Sequence, residues 1–292
     1  MTERFLRFLP TRKAFSLLAL AALLAGCSTT ALTPSANSVP ESEEAQFAAS
    51  PANIASLTEV VQRNPNDPQA YNMRGSVLGL AGRHEEALTD FNKAISLDAQ
   101  YAQAYANRAL VYRQMNKLDL ALADYNKAVT IDPGYSGAYL GRGIVYRQNK
   151  QAIHALQDFN KAIAIRPDTA EAYYNRGLLY QGQRQHQFAI DDFSTAVGLA
   201  SQQAEPLIAR GLSYVAVNDF KSAVSDFDEA VELEPQSLQA WTSRGLAYER
   251  LGDKAKAAGS YARALNIQQD FAPARVGFAR VGGTPGQTYQ TF

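Results

Sequence analysis

The stretch AYANRALVYRQMNKLDLALADYNKAVTIDPGYSG, residues 104–137, decides the fold, because residue 138 begins the same pattern again as AYLGRG. Arg74, Arg108, Arg142, Arg176, Arg210 and Arg244 succeed one another at intervals of 34 residues with no insertion or deletion. Around them stand AYNMRG, AYANRA, AYLGRG, AYYNRG, PLIARG and AWTSRG. A second frame follows each: ALTDFNKAI, ALADYNKAV, ALQDFNKAI, AIDDFSTAV, AVSDFDEAV and AAGSYARAL. Self-similarity at a fixed period of this size marks a supersecondary unit that buries its apolar face only by stacking on its neighbours.

Both frames read as helix, since their apolar residues fall at i, i+4 and i+7. In the first helix Tyr71, Gly75 and Leu78 recur as Tyr105, Ala109 and Tyr112, and so on to Trp241, Gly245 and Tyr248. In the second, Ala87, Phe91 and Ala94 recur down to Ala257, Tyr261 and Ala264. Gly costs a helix interior about 1 kcal/mol relative to Ala. Gly75, Gly143, Gly177, Gly211 and Gly245 at one phase therefore predict a steric need, with small residues letting an aromatic ring approach. Pro133, Pro167 and Pro235 close several units, where a proline stops the helix and turns the chain.

Period, aromatic phase and closing proline resemble the tetratricopeptide repeat (TPR) family. The resemblance implies an all-α, right-handed solenoid of six 34-residue helix-turn-helix repeats over residues 67–270. A degenerate half-repeat at 51–66 precedes them, and a short capping helix at 271–281 covers the last apolar face. The closing proline is replaced by Ala99, Ser201 and Gln269 in three units, and Pro206 stands in a first turn, where it is tolerated.

Upstream, residues 1–26 read as a signal peptide: a basic start (Arg4, Arg7, Arg12, Lys13), then an apolar run from Ala14 to Ala25, too short for a permanent span of about 20 residues. Leu24-Ala25-Gly26-Cys27 resembles the bacterial lipobox. The resemblance implies cleavage before Cys27 and lipid on its thiol, and Ser28 after it implies export to the periplasmic face of the outer membrane. Cleavage leaves 24 basic and 27 acidic residues, with no polybasic patch for anionic lipid. Residues 27–50, rich in Ser, Thr, Ala and Pro, read as a flexible lipidated tether; Ser28 to Pro40 alone reach about 40 Å when extended. The tail at 282–292 reads as disordered.

Composition excludes much. The 292 residues are 46% hydrophobic, enough for a sizeable core, and carry 28 basic against 28 acidic residues, which leaves no footprint for nucleic acid. One cysteine and three histidines leave little for a metal centre, and His84, His154 and His186 read as solvated positions near turns. No GxSxG elbow, P-loop or HExxH appears. The chain reads as a non-enzyme with no cofactor beyond the covalent lipid on Cys27.

Two residue sets remain. Arg74, Arg108, Arg142, Arg176 and Arg210, with Asp90, Asp124, Asp158, Asp192 and Asp226, predict a structural ladder tying the two helices of each hairpin; a ligand-binding arginine stripe is the less favoured reading. TPR arrays bind partners on a concave face lined by first helices. The resemblance places Leu110, Arg113, Ile144, Arg147, Leu178, Gln181, Leu212, Val215, Leu246 and Glu249 there. Apolar residues beside Arg113 and Arg147 suit a helix or extended peptide with an acidic or carboxyl-terminal end, although the leucines equally suit packing against neighbouring helices. A chaperone-type carboxylate clamp does not fit, since Leu110, Ile144 and Leu178 stand where it needs an amide or basic group.

Lipobox plus TPR resembles adaptor lipoproteins of the NlpI type. This implies envelope partners: a tail-specific protease, a cell-wall hydrolase, or alternatively the assembly machinery of a pilus, secretion system or outer-membrane β-barrel. An exposed apolar end of the stack also allows a homodimer.

Overall fold

The computed structural model describes residues 49–284 and Tyr289. The signal segment, Cys27, the tether through residue 48, and residues 285–288 and 290–292 lie outside the described residues. Those described form fourteen α-helices: α1 (Pro51–Arg63), α2 (Pro68–Leu80), α3 (His84–Leu97), α4 (Ala102–Gln114), α5 (Leu118–Ile131), α6 (Ser136–Gln148), α7 (Ala152–Ile165), α8 (Ala170–Gly182), α9 (His186–Leu199), α10 (Ala204–Ala216), α11 (Phe220–Leu233), α12 (Leu238–Arg250), α13 (Lys254–Ile267) and α14 (Ala272–Arg280). They are helical hairpins packed consecutively, and they fall into two compact units whose boundary, between Asn107 and Arg108, lies within α4.

In the first unit, Ser50 and Asp67 cap α1 and α2 by accepting from the backbone N–H of Asn53 (3.3 Å) and Gln69 (2.9 Å), with Pro51 and Pro68 in the first turns. Helix α2 packs on both α1 and α3. In the second unit α6 pairs with α7, α8 with α9, α10 with α11 and α12 with α13. The first helices also touch in sequence, α6 to α8, α8 to α10, α10 to α12 and α12 to α14, so they form one continuous face. Helix α14 closes the end by burying Ala274, Gly277 and Phe278; the Tyr289 ring meets Phe278 edge-on at 5.6 Å.

The glycine phase has the predicted steric cause. A Cβ on Gly75 would stand 2.8 Å from Phe91, on Gly143 2.7 Å from Phe159, on Gly177 2.6 Å from Phe193, on Gly211 2.6 Å from Phe227, and on Gly245 2.7 Å from Tyr261. Each ring is buried. The missing methyl is what lets the ring lie against the backbone of the partner helix.

Every hairpin turns through one left-handed residue, again at the 34-residue period: Gly82, Asn116, Lys150, Arg184, Asn218 and Gly252, with φ between 57° and 84°. At Lys150 the N–H bonds Arg147 O (3.0 Å) while Gln151 N–H bonds back to Tyr146 O (2.8 Å), satisfying carbonyls that the end of α6 would leave open. A side chain at such a φ costs roughly 1–2 kcal/mol. Lys150→Gly and Arg184→Gly are therefore each expected to raise the unfolding free energy by about 1 kcal/mol in urea titrations, since glycine's extra unfolded entropy offsets part of the gain. Loss of stability in both would contradict this account of the turns.

Candidate functional site

Five of the in-phase arginines each make a two-point bond to an aspartate sixteen residues on. Nε and Nη2 reach the two carboxylate oxygens at 2.7 Å for Arg74–Asp90 and Arg108–Asp124, 2.8 Å for Arg142–Asp158, 2.7–2.8 Å for Arg176–Asp192 and 2.7–2.9 Å for Arg210–Asp226. The aspartates are buried and the arginines mostly so. The bond raises Arg74, Arg142, Arg176 and Arg210 above the usual guanidinium range. At Asp226 burial outweighs the arginine and raises the carboxyl.

The free Nη1 extends the ladder from one hairpin to the one before it. Arg142 donates to Asn126 Oδ1 (2.8 Å), Arg176 to Asn160 Oδ1 (2.6 Å) and Arg210 to Ser194 Oγ (3.1 Å). In the last repeat the two roles exchange. Ser260 occupies the aspartate position and bonds Arg244 at 2.9 Å, while the carboxylate comes from Asp228 of the preceding hairpin at 2.5 Å. Aromatic faces flank the guanidinium, Tyr139 and Tyr146 at 5.5 and 5.8 Å from Arg142, Trp241 and Tyr248 at 5.4 and 5.0 Å from Arg244. With its donors committed, the ladder offers a ligand little.

The ten first-helix residues fare differently from one another. Ile144 is only 4% exposed and belongs to a core cluster with Leu140 and Phe159. Leu178, Leu212 and Val215 are partly buried against neighbouring clusters, and Leu110 and Leu246 are likewise partly buried. Gln181 bridges to α10, donating to Ala209 O and Ser213 Oγ, both at 2.9 Å. Glu249 is engaged from inside: Arg280 of α14 donates through Nε (2.5 Å) and Nη2 (2.7 Å), and Tyr261 Oη donates at 2.9 Å. These bonds hold the Glu249 carboxyl below its usual range.

Arg113 and Arg147 stand apart. Both are partly exposed, yet the Nε of each is enclosed and without an acceptor, while Oε1 of Gln148, next to Arg147 in the chain, is enclosed and without a donor. Arg147 Nη2 donates to Asn175 Oδ1 at 3.2 Å. Burial, assisted by the like charge of Arg113, lowers the Arg147 pKa. The Tyr125 phenol lies within hydrogen-bonding reach of Arg113, and burial raises it.

Glu171, in the first turn of α8, faces the same group; burial raises its carboxyl to about 7 against the opposing pull of Arg113. Its neighbour Tyr174 senses both Arg147 and Glu205 of α10.

Neither Tyr125 nor Glu171 stands out in the helical pattern, although Tyr125 carries one signal. Only Tyr125 and Tyr261 replace phenylalanine in the second-helix ring position, and each is followed sixteen residues later by a glycine, Gly141 and Gly277, where other repeats carry Asn107, Asn175, Ala209 and Ser243. A Cβ on either glycine would collide with the phenol ring. The glycine thus admits the hydroxyl to the first-helix face, where it meets Arg113 in one case and Glu249 in the other.

Among the described residues no three His, Cys, Asp or Glu side chains gather as a metal site, and no helix is long and apolar enough to cross a membrane. His154 stacks on Tyr146 with ring centroids 5.1 Å apart.

Sequence models of the repeat described as "Tetratricopeptide repeat" match residues 102–135, 170–203 and 208–273, and one described as "TPR repeat" matches 75–115 and 151–183. No curated protein matches the sequence. Among solved structures, the Cut9–Hcn1 hetero-tetramer of the APC/C is similar with a TM-score of 0.69 at 17% identity over 81% of this chain, which spans 47% of that one. PilF of Pseudomonas aeruginosa gives 0.67 at 19% identity, over 73% of this chain and 97% of its own. YrrB, described as a TPR protein with an unusual peptide-binding site, gives 0.56 at 27% identity, over 64% of this chain and 96% of its own. TPR folds typically serve as non-catalytic scaffolds that bind other proteins. Period, glycine–aromatic packing and matched repeats place this chain in the tetratricopeptide repeat family.

Proposed function

We propose that this chain is a scaffold of the bacterial envelope, held by lipid on Cys27 at the periplasmic face of the outer membrane, that recruits partner proteins to the first-helix face and performs no chemistry itself. The observation that carries the reading is the pair Arg113 and Arg147, charged, partly exposed and short of acceptors, amid the half-buried Leu110 and Leu178. An acidic or carboxyl-terminal segment supplies what they lack, and flanking apolar surface supplies the rest of the affinity. The peptide-binding site attributed to YrrB supports a peptide partner. The lipobox supports the anchor, and with it an envelope enzyme, a tail-specific protease or a cell-wall hydrolase, as the recruited protein.

In-cell crosslinking and affinity capture of the full lipidated chain, compared with an Arg113→Ala/Arg147→Ala variant, tests this. The expected result is an envelope protease or hydrolase recovered with the wild type and reduced by about tenfold or more with the variant, as loss of charged contacts at an interface implies. Equal recovery with both chains would overturn the assignment of the face. Recovery of secretin or barrel-assembly components would move the partner class to envelope assembly.

A further inference from the structure

Apolar side chains left in water collect on one edge of the second unit. Leu120 (48% exposed), Ile153 (74%), Phe188 (58%), Val217 and Leu251 each lie within four residues of a left-handed turn residue. Of the other exposed large hydrophobics described in this unit, only Leu199 and Val276 lie elsewhere. The turns belong to successive hairpins that pack in order, so the five residues share the edge on which first helices pass into second helices. Equivalent ring contacts fix the register: Tyr146 meets His154 at 5.1 Å, and one period on Tyr180 meets Phe188 at 5.4 Å. Single exposed apolar residues are ordinary, whereas a row of them marks a contact surface.

Charge follows the same edge. The hairpins that bear Leu120, Ile153 and Phe188 turn through Asn116-Lys117, Lys150 and Arg184, and all three basic side chains are exposed. Asp119 is the acid beside them. At the next two turns Asp219 and Asp253 are engaged in capping α11 and α13, accepting from the backbone N–H of Ser222 (3.2 Å) and Lys256 (3.0 Å). On the opposite edge, where one hairpin passes to the next, Asp132, Asp168 and Asp270 are exposed and Arg166 is the one base. The sequence holds no basic run; the fold assembles Lys117, Lys150 and Arg184 from separate repeats.

We propose that this turn edge seats on the surface of an anionic lipid bilayer, with Leu120, Ile153 and Phe188 dipping among the headgroups and Lys117, Lys150 and Arg184 pairing with lipid phosphates. The proposal adds a second contact to the lipid anchor and takes from that reading only the nearness of a membrane. The exposed apolar residues stand on separate turns, each hairpin pairing one with a base. A headgroup layer deforms around such isolated tips, while Lys and Arg stems lie along the apolar boundary with their charge at phosphate level. The acidic opposite edge is repelled by the same surface, so the charge distribution also sets which edge faces the lipid.

The test uses the full chain carrying Cys27→Ser, which cannot take lipid, with a polarity-sensitive fluorophore attached at Ile153→Cys, at Phe188→Cys or, on the opposite edge, at Asp168→Cys. Each is mixed with vesicles of phosphatidylcholine alone or with about one third phosphatidylglycerol. Labels at 153 and 188 are expected to enter an apolar environment with the anionic vesicles, and the label at 168 to stay in water. The Lys117→Gln/Lys150→Gln/Arg184→Gln variant should bind anionic vesicles about a hundredfold more weakly, at about fivefold for each base near an anionic surface, and added salt should narrow the difference. Every substituted side chain on either edge is exposed, so the fold is not at stake. Residues 1–26 are present in every chain compared, and their own affinity cancels in the ratios.

Equal responses at 153 and 168, or binding indifferent to the three bases, would overturn the proposal. So would a label at 153 that stays in water with anionic vesicles; if an added envelope protein shields it instead, the edge is a protein-docking surface. Neither lipid on Cys27 nor a partner at Arg113 and Arg147 enters this measurement, so its failure is distinct from failure of the capture experiment.

Discussion

Phe193→Ala is expected to lower the unfolding free energy by about 4 kcal/mol, in the middle of the range for buried aromatic truncations. The ring is fully buried in α9, packed on Ala189 and Ala209 with Tyr174 5.9 Å away. What surrounds it explains the size of the effect. Gly177 has no side chain to move into the space, alanines cannot extend, and the helices are fixed by hairpins on either side. The cavity therefore stays open, and its lining loses contact on one side. Urea unfolding followed by circular dichroism measures the loss. Because repeats share stability with their neighbours, the transition should also broaden or split as the affected hairpin unfolds early. A loss under about 1 kcal/mol would mean that the helices close over the gap.

Asp158→Ala is the second large effect, expected at about 3 kcal/mol. It strands the Arg142 guanidinium, whose Nε and Nη2 both bond that carboxylate at 2.8 Å. Arg142 keeps the bond to Asn126 and the faces of Tyr139 and Tyr146, and it is partly open to water, so the loss stays below that for a sealed charge. Adding Arg142→Met should recover much of it, because the cost comes from the uncompensated charge rather than from the pair's own worth. If Asp158→Ala alone is neutral, the ladder is ornamental and its arginines are available for other partners.

The repeat register, the helix assignment and the glycine–aromatic phase were legible because each follows from one local rule applied six times. What escaped depends on pairs of positions. Lys150 and Arg184 give no turn signal of their own, and only the phase shared with Gly82 and Gly252 marks them as left-handed. The exchange of Asp228 for the missing aspartate at Ser260 crosses two hairpins, and a scan of each frame separately does not connect them. The covarying Tyr125–Gly141 and Tyr261–Gly277 were visible as departures from the frame, but their meaning lies in where the hydroxyl emerges.

Glu171 was the least legible. It stands at a phase occupied by Gln69, Gln103 and Gly137, and the charge that acts against its burial, Arg113, lies two repeats upstream. Of the first-helix residues named from the family pattern, Ile144 is enclosed by packing and Glu249 by Arg280, because apolar first-helix positions also serve as contacts between hairpins.

The central claim is that a partner docks on the first-helix face near Arg113 and Arg147. Photocrosslinking side chains placed in living cells at Gln114 and Gln148, beside those arginines, and at the exposed Lys127 and Lys161 of the second helices, test it most directly. The account predicts one discrete envelope-protein adduct from both first-helix positions, lost in the Arg113→Ala/Arg147→Ala background, and none from Lys127 or Lys161. Adducts from the second-helix positions alone, or adducts indifferent to the arginines, would contradict it.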